Sequence, residues 1–186
     1  MKKIVVYSLS ILSLLSGITF AQISDKEFDE ALNWMSEAWI TKYATQSEYM
    51  PEASMTREQW AKLIGVYLEG AWYSFEKINN DCLFSDESAI DETLLSWVER
   101  MCGAWYMKGW NGAFHPSLTM SKAEVLTVLV RSTDGLKNEE VTPWWLWYVE
   151  TAQQAGLTNE RVMSRFELPV SRYEIALLLW RMHTWS

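Results

Sequence analysis

The chain has 186 residues, of which 49% are hydrophobic, and a formal net charge of −8 at pH 7. This length allows one sizeable core, while the acidic balance argues against nucleic acid, whose phosphates need lysine and arginine. The two histidines have no close cysteine neighbours in sequence, so we expect no metal site, and nothing points to a cofactor.

The first 21 residues have the pattern of a secretory signal peptide. A basic start at residues 1–3 precedes a mostly apolar run over residues 4–18, and small residues at 19 and 21 suit a cleavage site. The alternative is an uncleaved anchor helix, although the apolar run is short for a membrane span. No later stretch is apolar enough to cross a membrane, so we expect a secreted mature protein without a transmembrane segment.

Two cysteines, Cys82 and Cys102, remain in this exported chain. An even number of cysteines in an oxidising compartment favours a disulfide. Closing this loop would stabilise the fold by about 3 kcal/mol in the chain-entropy model. The alternative is two buried free thiols.

One pattern occurs three times along the chain: a helix end, a turn, and a polar signal that begins the next helix. The helix ends lie in residues 31–43, 97–109 and 148–160. The next helix begins 17, 16 and 15 residues after the junction residues, which are Trp39, Trp105 and Gly156. A repeated unit of this size cannot bury its own apolar face. The sequence therefore predicts an all-α fold of three helix–loop–helix units around a shared core.

Each helix-starting signal has the form of a capping box, in which a hydroxyl and a Glu or Gln side chain each accept a backbone N–H. The three pairs are Thr56 with Gln59, Ser121 with Glu124, and Ser171 with Glu174. Apolar residues follow each box with helical period, which predicts three helices that pack together.

A basic residue follows the cap in all three units, as Arg57, Lys122 and Arg172. A cation in a first helical turn faces the positive end of the helix dipole, so the cap does not explain it. One interpretation is that each side chain packs over a neighbouring unit or pairs with a carboxylate. The other is that each donates to an anionic ligand in a groove between units.

These features resemble the S-layer homology domain. The resemblance depends on Phe84-Ser85-Asp86, which matches the family's F-x-D motif, and on the turn from Gly109 to Pro116. It depends also on the three capping segments, which are similar to the T-R-A-E signature. It covers residues 24–183 as three tandem copies, which we place, after a signal peptide at 1–21, at residues 22–80, 81–136 and 137–186.

The resemblance implies a pseudo-threefold arrangement, in which the three T-R-A-E helices form a central bundle with grooves around it. Domains of this family hold exported proteins on the bacterial cell envelope by binding wall-linked polysaccharide, which often carries pyruvylated sugars. No catalytic motif stands out in this sequence, so we expect a non-catalytic binding protein attached to the cell envelope.

The resemblance also implies site residues. The family's T-R-A-E arginine contacts the carboxylate of the sugar acetal, and the matching residues here are Arg57, Lys122 and Arg172. Asp86 would bind sugar hydroxyls, Trp144 would stack on a sugar face, and the turn from Gly109 to Gly112 would approach the ligand with its backbone.

The chain departs from the family pattern in ways that bear on function. Lys122 replaces an arginine and loses its planar fork, the third copy has no aspartate before Pro143, and Phe28-Asp29 only partly matches F-x-D. We therefore expect that not all three grooves bind polysaccharide. The alternative function is a small structural or adaptor protein, whose degenerate repeats contact S-layer or other envelope proteins.

The chain has twelve tryptophans, and three of them stand at turns. Trp39 and Trp105 align with Gly156 at a helix end that favours positive φ, and Trp110 lies in the turn between glycines. One explanation is that these rings stack on sugar. The other is that the gene encodes glycine there with UGA codons. Trp34, by contrast, has the helical spacing of a core residue.

Overall fold

The computed structural model describes residues 26–71, 75 and 82–185. Over these residues the chain forms seven α-helices, two short 3-10 helices and no β-strand, which confirms the predicted all-α class. The predicted signal peptide, residues 1–21, lies outside the described residues.

The helices differ widely in length. Their bounds are residues 26–37 for α1, Gln46–Tyr49 for α2, Arg57–Gly70 for α3, Glu92–Gly103 for α4, Lys122–Asp134 for α5, Leu146–Gln154 for α6 and Arg172–Trp185 for α7. The 3-10 helices are Glu87–Ala89 and Met163–Glu167. None of the helices in these described ranges has the length and apolarity that a membrane crossing requires.

The helices α3, α5 and α7 each begin directly after a hydroxyl residue that caps them. At α3 and α5 both bonds of the capping box are present, from Thr56 with Gln59 and from Ser121 with Glu124. At α7 the backbone N–H of Ser171 donates to the Glu174 carboxylate, and the Glu174 N–H donates to the Ser171 hydroxyl, both at 3.2 Å. These bonds satisfy backbone donors that a helix N-terminus otherwise leaves unpaired.

The long helices pack in pairs that join different predicted repeats. The helix α3 packs on α4, and α5 packs on α6. The helix α7 packs on α1, where the rings of Phe28 and Tyr173 lie 4.8 Å apart and those of Trp34 and Trp180 lie 5.7 Å apart. Trp34 is a partly buried residue packed against the core. Each helix pair therefore joins two of the predicted repeats.

A closed cycle of backbone hydrogen bonds joins the three segments that lead into α3, α5 and α7. The N–H of Arg57 donates to the carbonyl of Leu118 at 2.9 Å, that of Lys122 to Leu168 at 3.0 Å, and that of Arg172 to Ala53 at 2.8 Å. Each acceptor lies four residues before the first residue of one of these helices. Each segment therefore donates one of these hydrogen bonds and accepts another.

Two of the turn tryptophans have the backbone conformation that their alignment with glycine suggested. The φ angles are 58° at Trp39, 63° at Trp105 and 68° at Gly156. Trp110 differs from expectation, because the positive φ angles of its turn fall on Asn111 and Gly112. Trp110 instead begins a two-residue turn, exchanging two backbone hydrogen bonds with Ala113.

Cys82 and Cys102 form a disulfide, with their Cα atoms 5.9 Å apart. The bond joins the last turn of α4 to the segment that precedes the first 3-10 helix. The alternative of two free thiols is therefore wrong.

Candidate functional site

A cavity of about 360 Å³ lies between α5, the turn at 107–110 and the connection from α5 to α6. The indole rings of Trp110 and Trp144 stand on its walls, and each residue is 41% exposed. Its charged lining residues are Arg57, Lys108, Glu124, Arg131 and Glu139. Of the residues predicted to bind polysaccharide, the cavity brings together Arg57, Gly109 and Trp144.

Arg57 is almost fully buried, with only 4% of its surface exposed. Its Nε donates to the carbonyl of Phe114 at 2.9 Å, and one terminal nitrogen donates to the carbonyl of Lys108 at 2.7 Å. The other terminal nitrogen lies 3.3 Å from the Glu124 carboxylate. Burial lowers the pKa of the guanidinium, and Glu124 opposes that effect. Arg57 thus joins the turn to α5. This contact is the one expected if the cation pairs with a carboxylate of a neighbouring predicted unit.

The guanidinium of Arg57 also lies against aromatic rings. Its central carbon is 4.8 Å from the centre of the Trp110 ring and 5.0 Å from that of Phe114. A cation over an aromatic face is attracted by the ring quadrupole. The contact holds Trp110 in place beside the cavity.

Three charged residues in the wall of the cavity, Lys108, Arg131 and Glu139, form a cluster. The Glu139 carboxylate lies 2.9 Å from the Lys108 ammonium and 2.6 Å from the Arg131 guanidinium. The hydroxyl of Tyr148 also donates to it at 2.6 Å. Burial raises the pKa of Glu139, but these donors outweigh it and bring the pKa down to about 2. With Glu139 ionised, the cluster carries a net charge of one positive unit.

The other two predicted anion contacts lie outside this cavity. The Lys122 ammonium pairs with the Glu174 carboxylate. A terminal nitrogen of Arg172 donates to the carbonyl of Tyr49 at 3.0 Å, and its Nε is buried without a hydrogen-bond partner among the described residues. Each cation therefore reaches a protein group across a junction between units.

Asp86 supports the turn from outside the cavity. Its carboxylate accepts the backbone N–H groups of Phe114 and His115, both at 2.8 Å. Desolvation raises the pKa of Asp86, but these N–H groups outweigh it, so the pKa lies below its usual value. The F-x-D motif thus fixes the Phe114 end of the turn.

A second cavity of about 280 Å³ lies on the other side of Gly109 and Trp110. Gly112 and Trp105 line it, and Lys108 lines both cavities. A Cβ atom at Gly109 would collide with the carbonyl of Ala113. Glycine is therefore required there for the turn to close.

Lys108, Arg131 and Glu139 were not predicted as site residues. Arg131 is the one with a sequence signal, because it stands in the apolar run of α5, where a cation needs a buried partner. Lys108 belongs to the turn motif, but in the sequence nothing distinguishes it from an ordinary surface lysine. Glu139 lies in a charged connection, and only the fold brings it to the other two.

Within the described residues, no group of three or more histidines, cysteines and carboxylates could hold a metal ion. No model of a known protein family matches the chain. No curated protein matches it either.

Proposed function

We propose that the protein is a non-catalytic module of the S-layer homology type, which binds acidic polysaccharide of the bacterial cell envelope. The observation that carries the proposal is the composition of the larger cavity. It joins Arg57, Gly109 and Trp144, which the family resemblance assigns to glycan binding, to a charged cluster of net positive sign.

The proposed architecture is three repeats in a pseudo-threefold arrangement, with α3, α5 and α7 as the central bundle. Two observations support it. The backbone hydrogen bonds of the leading segments run in a closed cycle, and the helix pairs α3–α4, α5–α6 and α7–α1 each join consecutive repeats. The three junctions between repeats are the places where grooves would lie.

The cavity has the chemistry that sugar recognition needs. Half-exposed Trp144 provides a flat apolar face for a pyranose ring, and Glu124 and Glu139 provide acceptors for hydroxyl groups. The Trp110 ring also lines the cavity but is already stacked on the ring of His115, with centroids 3.9 Å apart. A volume of about 360 Å³ is in the range of small-ligand pockets, so one or two sugar rings would fit.

We propose that the cavity beside Arg57 is the binding groove and that the junctions at Lys122 and Arg172 are structural. Lys122 and Arg172 contact protein groups, as Arg57 does, but unlike Arg57 they line neither of the two cavities. These contacts are the ones expected of cations that join repeats. The proposed envelope location follows from the proposed function, and the disulfide, which is typical of exported proteins, is compatible with it.

The test is a pull-down of the mature protein with purified cell-wall material, before and after chemical removal of the wall polysaccharide. We expect binding to untreated wall and to wall freed of protein, and none after the polysaccharide is stripped. Binding only to wall that retains its proteins would support the adaptor function and contradict the proposal.

A matched pair of tryptophan variants shows whether the cavity is responsible. Trp144 and Trp147 are exposed by 41% and 46%, but of the two only Trp144 lines the cavity. Trp144→Ala should weaken wall binding by about fivefold or more, since stacking of a nucleic-acid base on an aromatic side chain contributes about 1 to 3 kcal/mol. Trp147→Ala should bind as the unaltered protein does, and equal losses would contradict the assignment.

A further inference from the structure

The charged cluster has one cation that a ligand can reach. The side chains of Lys108 and Arg131 are 31% and 6% exposed, and both cations share the single carboxylate of Glu139. The cluster therefore has one positive charge in excess. That excess is accessible at Lys108.

Arg131 has little capacity left for a ligand. Its Nε donates to the Tyr148 hydroxyl, one terminal nitrogen to the carbonyl of Tyr106, and the other to Glu139. The ammonium of Lys108 has three N–H donors, and Glu139 accepts from it at 2.9 Å. A compact ammonium can serve further acceptors without a change of rotamer.

Arg57, the cation of the family signature, is in a different position. It is 4% exposed, and all three of its nitrogens bond to protein groups. One of those groups is the backbone carbonyl of Lys108, at 2.7 Å. Arg57 thus fixes the backbone from which the Lys108 side chain extends.

We propose that Lys108 receives the carboxylate of the bound saccharide and that Arg57 is a positioning residue for it. This inference rests on the proposed function and adds the residue that selects an acidic sugar. Lys108 lines both cavities, so a carboxylate bound there would place the sugar rings beside Trp110, which also lines both. The ligand class is a saccharide with one carboxylate near a pyranose ring.

The experiment compares two probes by isothermal titration calorimetry at low salt: a methyl glucoside with a pyruvate acetal, and the methyl ester of the same acetal. The unaltered protein should prefer the acid at least tenfold. Lys108→Gln should bind both probes equally, at the level of the ester, and Lys108→Arg should retain the preference. Lys137→Gln is the matched control, because the Lys137 side chain has a similar exposed fraction, 29%, pairs with Asp134 and lines neither cavity.

The outcomes separate the two proposals. If the unaltered protein binds neither probe and does not bind cell wall freed of its proteins, the proposed function fails, and this inference fails with it. Two outcomes in a protein that binds wall polysaccharide overturn only the inference. One is that Lys108→Gln keeps the preference for the acid. The other is that acid and ester bind equally to the unaltered protein. Circular dichroism of each variant establishes that the fold is retained, which we expect because the Lys108 side chain is part-exposed.

Discussion

Arg57 at the start of α3 pairs with Glu124 in the capping box of α5, at 3.3 Å, and Lys122 at the start of α5 pairs in the same way with Glu174 of α7. The third position has Gln59 in place of the acid, and Arg172 bonds to the carbonyl of Tyr49 instead. In the capping boxes of α5 and α7, the glutamate thus has two functions. It caps its own helix and pairs with the cation that begins the preceding capped helix.

The first prediction concerns the cost of removing these cations. Arg57→Met should lower the free energy of unfolding by about 3 kcal/mol, because it breaks a buried pair and leaves carbonyls without donors. Lys122→Met should cost about 1 kcal/mol or less, because Glu174 is 34% exposed and can be hydrated. Urea denaturation measures both, and similar costs would contradict the structural role given to Arg57.

The second prediction concerns Trp39, which is 86% exposed with a φ of 58°. Trp39→Gly should raise the free energy of unfolding by about 1 kcal/mol, because glycine adopts this conformation without steric cost. Little packing is lost with so exposed a ring. A lower stability of the variant in urea would show that the ring makes contacts that offset the strain.

Trp105→Gly should give a smaller gain, because the Trp105 ring has the Lys108 ammonium 5.1 Å from its centre. Codons provide a separate check on these positions. If Trp39, Trp105 and Trp110 are all encoded by UGG, the hypothesis of UGA codons that encode glycine is wrong. Trp110 is the least expected of the three to be glycine, because its own φ is not positive.

The third prediction concerns the disulfide. Replacing both Cys82 and Cys102 by serine should lower the free energy of unfolding by about 3 kcal/mol, because the bond closes a loop of 20 residues in the unfolded chain. Thermal melting with and without a reducing agent measures the same effect in the unaltered protein. A double variant whose melting still responds to reductant would show that the response has another origin.

The fourth prediction concerns acid stability and Glu139. Its pKa is about 2 in the folded protein and 4.5 ordinarily, so the unfolded chain takes up the proton first as the pH falls. The contribution of Glu139 is thus present above pH 4.5 and is lost as the pH falls toward 2. Glu139→Gln should cost about 1 to 2 kcal/mol at pH 7, allowing for solvent screening.

The urea midpoints of Glu139→Gln and the unaltered protein, measured between pH 7 and pH 2, test the sign. The two curves should converge through this acidic window. A gap that stays constant down to pH 2 would show that Glu139 stabilises the fold through packing rather than through its charge.

The elements with local signals could be predicted from the sequence. The capping boxes indicate the first residues of α3, α5 and α7, since a hydroxyl and an acid or amide three residues later accept backbone N–H groups at a helix start. The glycine-like conformation at Trp39 and Trp105 followed from their alignment with Gly156. These features depend only on neighbours in the chain.

The site depended on distant pairs and was predicted only in part. Glu139 stands 31 residues from Lys108, and no local pattern indicates that they meet. The cations of the signature were identified, but the burial of Arg57 could not be, because it depends on Phe114 and Lys108, whose carbonyls face Arg57 only after folding. Three of the motif residues thus pointed to the cavity, while its accessible cation, Lys108, came from the tertiary structure.

The cycle of backbone bonds among Arg57, Lys122 and Arg172 has a consequence for cooperativity. In an open array of repeats the terminal units have one neighbour each, so they can fray and the array can be lengthened. Here each leading segment has both a donor and an acceptor partner, and the last bond returns to the first segment. Deleting one of the three segments would leave the other two with an unmatched donor and an unmatched acceptor. A closed cycle of this kind has no terminal segment with a single partner, and none of its three donors is left for a fourth segment.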